Sequence, residues 1–214
     1  MATIEQKVGR TGRPREFDRE AALEKAMMLF WRHGFEGVSV AYLTEALGVA
    51  PASLYAAFGS KADLYKEALE LYLRRVKVQA TYTLETDRPI RETVGELLKS
   101  AVLSVTDDEA GIRGCMISVS MLFHAPDKAA LAEHVEQLRR DWQTRIASRL
   151  QRATDVGELP ASPGADAWAC YLVSLMQGMG IQARDGTSRD ALMVVARLGF
   201  TTMFGPPGAF DQFV

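Results

Sequence analysis

The spacing of apolar residues is the feature that most constrains the fold of this chain. Apolar side chains recur three or four positions apart along most of the sequence, and no segment sustains the alternation of apolar and polar residues that a half-buried strand needs. The pattern predicts an all-α fold. With 214 residues, 48% of them apolar, the chain is also long and apolar enough to bury a sizeable core.

Capping signals place the first two helices. Asp18 is a good N-cap for a helix that Gly34 ends, and Ser39 can cap a second helix that runs to Gly48. Each helix carries an apolar stripe at helical spacing on one face. Two short amphipathic helices are therefore expected in the first fifty residues.

A third short helix and a longer fourth one follow. Pro51 suits the first turn of a helix, because its missing N–H would be unpaired there, and this helix should end near Phe58. Ser60 and Asp63 have the spacing of a capping box and open a helix that continues toward Val78.

These signals predict four parts of the chain: a basic arm over 1–15, a head over 16–62, a body over 63–204 and a tail over 205–214. The first helix of the body connects it to the head. Beyond a break at Thr86 to Pro89, the body should contain helices at about 90–105, 115–124, 127–155, 165–184 and 188–204.

The second and third helices, joined by the tight turn at 48–50, have the pattern of a helix-turn-helix, in which the second member can enter the major groove of DNA. The run from Phe17 to Tyr65 contains FDREAALEKAMMLFWRHGFEGVSV and LTEALGVAPASLYAAFGSKADLY. This run resembles the DNA-binding head of the TetR family of bacterial transcriptional regulators. The resemblance implies a helical homodimer that represses transcription from operator DNA and releases it when the body binds a small molecule.

The resemblance also implies which head residues contact double-stranded DNA. Tyr55 matches a tyrosine that reaches the DNA backbone or a thymine, and Lys61 matches a lysine that binds phosphate. Alternatives remain open, because Ser39 can serve only as a cap, Lys61 can be merely solvated, and Tyr55 can pack within the protein. The remaining expected contacts are Ser39 and Thr44, which match helix-two positions that touch the DNA backbone, and the helix-three positions Pro51, Ala52 and Ser53.

The basic arm is the second candidate for DNA contact. Arg13 and Arg15 flank a proline, and arginines on an extended segment can enter the narrow minor groove of A·T-rich DNA. A flexible tail that only improves solubility is the alternative.

The last two predicted helices are apolar over most of their circumference, so both need cover on two sides. Pairing with the same helices of a second copy in a four-helix bundle would provide it, and the resemblance implies that interface. A buried core within one chain is the alternative. The interface residues expected are Trp168, Leu172, Leu175, Met179, Leu192, Val195 and Leu198.

An apolar pocket for an apolar or amphipathic effector is expected between the head and this bundle, because methionine and aromatic side chains adapt to varied ligands. The same side chains also fill ordinary cores. The candidates are Cys115, Met116, Met121, Phe123, His124, Trp142 and Tyr171.

Other function classes find little support. The sequence has no nucleophile elbow, zinc-protease motif or phosphate-binding loop, so an enzyme is not expected, nor is a metal or cofactor. No run of apolar residues is long enough to span a membrane, and a cytoplasmic location is expected. A redox-responsive regulator remains as an alternative, in which Cys115 acts as a thiolate beside Arg113.

Overall fold

A computed structural model of the protein describes residues 17–106 and 111–205, and this part of the chain is helical with no strand. The all-α prediction is confirmed. The helices are α1 (Arg19–His33), α2 (Val40–Leu47), α3 (Pro51–Phe58), α4 (Lys61–Glu85), α5 (Ile90–Thr106), α6 (Ala129–Asp155), α7 (Ala165–Arg184) and α8 (Arg189–Phe204), with a 3-10 turn over Pro126–Lys128 before α6.

The caps of the head helices form as the sequence predicts. The Asp18 carboxylate accepts from the amide of Ala21 at 3.0 Å, and the Ser39 hydroxyl accepts from the amide of Tyr42 at 3.0 Å. Gly48 ends α2 with a φ of +67°, in the left-handed region that glycine adopts without steric cost. The helix-turn-helix geometry is therefore encoded locally.

The core of the head is shared with the body. Phe30 of α1 packs edge-on against Tyr65 of α4, with ring centroids 4.9 Å apart. The same hydrophobic cluster includes Met116 and Met121 from the segment between α5 and α6, and Val135 from α6. Movement within the body can therefore reach the head through packed side chains.

The helix predicted at 115–124 is wrong: the structure has turns between α5 and the 3-10 turn, in the described residues 111–125. Three residues in this segment have positive φ: Gly111 at +69°, Gly114 at +88° and Met121 at +56°. The carbonyls of Ile117 and Ser120 accept from the guanidinium of Arg139 at 3.2 and 2.9 Å. These two carbonyls are therefore satisfied by the Arg139 side chain of α6 and not by amides of a helix. We call residues 111–125 the connecting segment.

A second hydrophobic cluster holds the body together. It joins α5, the second half of α6, α7 and α8 around fully buried residues such as Leu98, Leu150 and Phe200. Helices α7 and α8 approach closely at Gly199, whose carbonyl accepts from the Tyr171 hydroxyl at 3.4 Å. Among the described residues, nothing covers the outer faces of these two helices.

Candidate DNA-binding surface and effector cavity

Helix α3 is held against the head by its inner face. Leu54 and Phe58 are 2% and 4% exposed and pack into the core of the head. Arg19 of α1 donates to the carbonyl of Ala57 at 3.2 Å and forms a two-pronged ion pair with Glu67 of α4 at 2.7 and 2.8 Å. These contacts fix the orientation of α3.

The outer face of α3 is small, hydroxyl-bearing and exposed. Pro51, Ala52 and Ser53 at its start are exposed, and the Tyr55 side chain is 47% exposed. Ala50 supplies no side-chain cap and Pro51 has no N–H, while the amides of Ser53 and Leu54 donate to the Ala50 carbonyl at 3.0 and 3.1 Å. The amide of Ala52 is therefore the first-turn donor that can face a phosphate oxygen. This face carries few long polar side chains for bidentate recognition of bases.

Two of the remaining predicted DNA contacts, Ser39 and Thr44, already form hydrogen bonds within the protein. Ser39 is exposed, but its hydroxyl caps α2. Thr44 is buried at 9% exposure, and its hydroxyl donates to the carbonyl of Ala41 at 2.9 Å. Among the predicted DNA contacts that the structure describes, Thr44 is the least accessible. Arg13 and Arg15 lie outside the described residues.

Lys61 lies at the edge of this surface. Its ammonium is 4.0 Å from the centroid of the Phe35 ring. Partial burial lowers the pKa of Lys61, while the charge of Glu36 raises it and that of Lys128 lowers it. Lys128, at the start of α6, is therefore a second cation beside the head, although it pairs with Asp127 at 2.6 Å. Sequence reasoning missed Lys128, because nothing local signals its approach to Lys61.

An apolar cavity of about 150 Å³ lies inside the body. It is bounded by α4, α5, α6, α7 and the connecting segment. Polar residues interrupt its wall at a few points, among them Ser100 and Ser104 of α5 and Tyr72 of α4. Its described lining residues are Tyr72, Leu73, Val76, Leu97, Ser100, Ala101, Ser104, Val105, Cys115, Ile117, Ser118, Leu138, Arg139, Trp142, Val173, Met176 and Gln177.

The cavity contains two of the seven pocket residues expected from the sequence, Cys115 and Trp142. The other five are not in its wall. Met116 and Met121 are buried in the cluster shared with the head, and Phe123 is 92% exposed. His124 is exposed and Tyr171 packs against Trp168 and α8. Four of these five residues lie in 115–124, where turns replace the predicted helix, and Tyr171 lies on α7.

Tyr72 and Cys115 meet at the wall of this cavity. Burial raises the pKa of the Tyr72 hydroxyl well above its usual value, and contact with Cys115 raises it further. Tyr72 therefore remains protonated and can donate a hydrogen bond. Arg113, which the sequence placed beside Cys115, donates instead to the carbonyl of Thr187.

The outer faces of α7 and α8 form an exposed apolar surface, which we call the α7–α8 face. Leu198 is 63% exposed, Val194 56% and Ile181 43%. Leu172, Met179 and Leu192, which the sequence placed at a dimer interface, are 0%, 2% and 1% exposed and belong to the core of the single chain. Three further expected interface residues are half-buried, at the boundary between the core and the exposed surface: Trp168, Leu175 and Val195. Of the seven expected interface residues, Leu198 is the one that is largely exposed.

These features define a class of protein. A short helix presents its outer face on a three-helix head, and a helical body behind it contains an apolar cavity and an uncovered apolar face. This is the architecture of a helix-turn-helix DNA-binding protein with a ligand-binding body. Within the described ranges, no group of His, Cys, Asp or Glu side chains is suited to hold a metal ion, and no helix is long and apolar enough to cross a membrane.

Comparison with known proteins identifies the family. Residues 22–68 match the family described as bacterial regulatory proteins, tetR family, and residues 94–198 match the tetracyclin repressor-like C-terminal domain. The chain belongs to the TetR family of transcriptional regulators. The resemblance found in the sequence is thereby confirmed.

Two of its relatives are named as transcriptional repressors. The chain is 31% identical to the HTH-type transcriptional repressor ComR of Escherichia coli K12, over 86% of this chain and 88% of ComR. It is 34% identical to the HTH-type transcriptional repressor BdcR of the same strain, over 87% and 89%. A cysteine mutant of the TetR family regulator CifR, solved with 26bp double-strand operator DNA, is 34% identical with a TM-score of 0.82, covering 90% of this chain and 100% of that one.

Proposed function

We propose that this protein is a transcriptional repressor that binds operator DNA through the outer face of α3 and releases it when an effector occupies the cavity. The observation that carries the proposal is the exposed surface at Ala52, Ser53 and Tyr55, held on a rigid head. The similarity to repressors, and to CifR solved with operator DNA, supports it.

The operator-binding form is a homodimer. The α7–α8 face exposes apolar side chains that a second copy of the chain would cover, giving a four-helix bundle with two-fold symmetry. Two heads then present two copies of α3 to a palindromic operator, with half-sites one helical turn, roughly 34–36 Å, apart.

The effector controls the spacing of the heads. A ligand shifts this equilibrium only if it binds better to the conformation that does not fit the operator. The cavity is suited to this role, because Tyr72 in its wall also packs edge-on against Trp31 of the head, with centroids 5.0 Å apart. A thiol-based switch at Cys115 gains no better support, since Arg113 is engaged at Thr187. The kinship with regulators favours this function over an enzyme. We propose a cytoplasmic location, where a bacterial operator would be bound.

Tyr55 provides the test of the DNA-binding surface. Tyr55→Phe deletes only the hydroxyl, and we expect it to weaken operator binding by about 0.5–1.5 kcal/mol per half-site, the contribution of one hydrogen bond. Tyr55→Ala should weaken binding further, because the ring contact is lost as well. Fluorescence anisotropy with labelled operator DNA measures both effects.

The matched control is Phe123→Ala, which removes a ring that is even more exposed but lies on the connecting segment of the body. It should leave operator affinity unchanged. Circular dichroism melts verify that all three variants are folded. Wild-type affinity in both Tyr55 variants would contradict this placement of the DNA-binding surface.

A further inference from the structure

One charged side chain, that of Arg139, lies in the described wall of the effector cavity. No carboxylate is present among the described lining residues. A cationic ligand buried there would lack an opposite charge, and burying an unpaired charge is strongly unfavourable. An anionic ligand, by contrast, would meet the guanidinium of Arg139.

Arg139 still has hydrogen-bond donors to offer. Its two hydrogen bonds to protein in the described ranges both start at Nη1 and end at the carbonyls of Ile117 and Ser120. No ion pair joins Arg139 to an acidic residue in the same ranges. The Nε–H and Nη2–H groups lie along the other edge of the guanidinium, and such an edge fits the two oxygens of a carboxylate.

The size and lining of the cavity limit the rest of the ligand. A cavity of about 150 Å³ compares with engineered cavities of similar volume that bind benzene. Trp142, Met176 and Val173 offer apolar contact to a body of this size. A ring or a short carbon chain fits, and a large multi-ring compound does not fit without expansion of the cavity.

We propose that the effector is a compact monocarboxylate whose carboxylate pairs with Arg139 and whose apolar body packs against Trp142 and Met176. This inference rests on the proposed function, because it names the chemical class of the effector for the same cavity. Arg139 is then a ligand-binding residue that also holds the connecting segment.

The contacts of Arg139 give the ligand a route to the head. The turn that Arg139 binds contains Ser120, whose hydroxyl is hydrogen-bonded to the Tyr65 hydroxyl. Tyr65 packs against Phe30 and Phe35 of the head, with ring centroids 4.9 and 5.1 Å away. Reorientation of the guanidinium toward a carboxylate shifts this turn, and the displacement passes through Tyr65 to the first helices.

The experiment compares carboxylates with neutral ligands of the same shape. Benzoate, cyclohexanecarboxylate and hexanoate are titrated into the full-length protein by calorimetry, each beside its amide. We expect at least one of the acids to bind about tenfold more tightly than its amide or better, as a charge-assisted pair provides. The same acid should weaken operator binding in anisotropy measurements.

The variant pair is Arg139→Gln and Arg140→Gln, neighbours in sequence with different surroundings. Arg140 is 63% exposed and pairs with Glu136 one turn earlier on α6, so its loss should change neither acid binding nor the operator response. Arg139→Gln should erase the preference for acid over amide, and Arg139→Lys, which keeps the charge, should retain part of it. Calorimetry reports this preference without operator DNA.

Three results would overturn the proposal: amides that bind as tightly as acids, an Arg139→Gln protein that keeps the acid preference, or no binding of any of the three acids. Operator binding without added ligand separates this outcome from failure of the proposed function. If the protein binds its operator but none of the carboxylates, the proposed effector class is wrong and the proposed DNA-binding function stands.

Discussion

Glutamate at both Val194 and Leu198 is expected to make the protein monomeric and to lower its operator affinity by more than about 100-fold. These side chains are 56% and 63% exposed in the single chain and lie one helical turn apart on the α7–α8 face. Covered by a second copy, each glutamate would be a buried, unpaired charge costing several kcal/mol. The monomer has one α3 and loses the high effective concentration of the second head. Sedimentation velocity and operator anisotropy measure the two effects.

Val156→Glu is the matched control for this variant. Val156 is 74% exposed and lies after α6, away from the α7–α8 face. A charge there should alter neither sedimentation nor operator binding. Because Val194 and Leu198 are exposed, the double variant should keep its helical content. A double variant that sediments as a dimer would remove the α7–α8 face as the interface.

Where short-range chemistry decides the structure, the sequence was sufficient. The side chains of Asp18 and Ser39 cap helices at the amides three residues later, and Pro51 begins α3. Ser60 and Asp63 form the reciprocal capping box, with amide-to-oxygen distances of 3.2 and 3.1 Å. All of these interactions join residues within one helical turn, so the pattern of the head could be read from adjacent positions.

Side-chain burial in α7 and α8 could not be read in this way. Both helices are apolar on opposite faces, so periodicity gives no preference between the side toward the chain's own core and the side toward a partner. Leu172 and Met179 are buried in the chain's own core and Ile181 is exposed, although all three are apolar residues of one helix. Only the packing of α5 and α6 against α7 distinguishes them.

The cavity depends on contacts that are distant in the sequence. Arg139 faces it from α6 and Tyr72 from α4, while the sequence drew attention to residues 115–124. An arginine on a long polar helix resembles its solvated neighbours, and Arg140, the next residue, is such a neighbour. The carbonyls that distinguish Arg139 belong to the connecting segment, about twenty positions earlier.

The connecting segment is held between head and body most tightly at Gly114. Its carbonyl accepts from the Trp31 indole of α1 at 3.0 Å, and its amide donates to the carbonyl of Val105 at 2.9 Å. Arg184 of α7 reaches the same end of α1 and donates to the carbonyl of Trp31 at 3.0 Å. A backbone change at this glycine therefore disturbs both the body and its attachment to the head.

Gly114→Ala is expected to lower the free energy of unfolding by about 2–4 kcal/mol, the sum of backbone strain and overpacking. At a φ of +88°, a Cβ atom at this position would lie 2.8 Å from the carbonyl oxygen of Gly180, which is backbone of α7 and cannot rotate away. Urea denaturation followed by circular dichroism at one fixed protein concentration measures the change, since a dimer's stability depends on concentration.

Gly111→Ala separates the two contributions within the same segment. Gly111 has a φ of +69°, but a Cβ atom there would meet nothing within 4 Å. This variant should show strain alone, about 1 kcal/mol. Equal losses in the two variants would mean that the close approach of the connecting segment to α7 contributes nothing to stability. If Gly114→Ala instead loses much more and its operator affinity also falls, this approach is what keeps the head in the orientation that fits DNA.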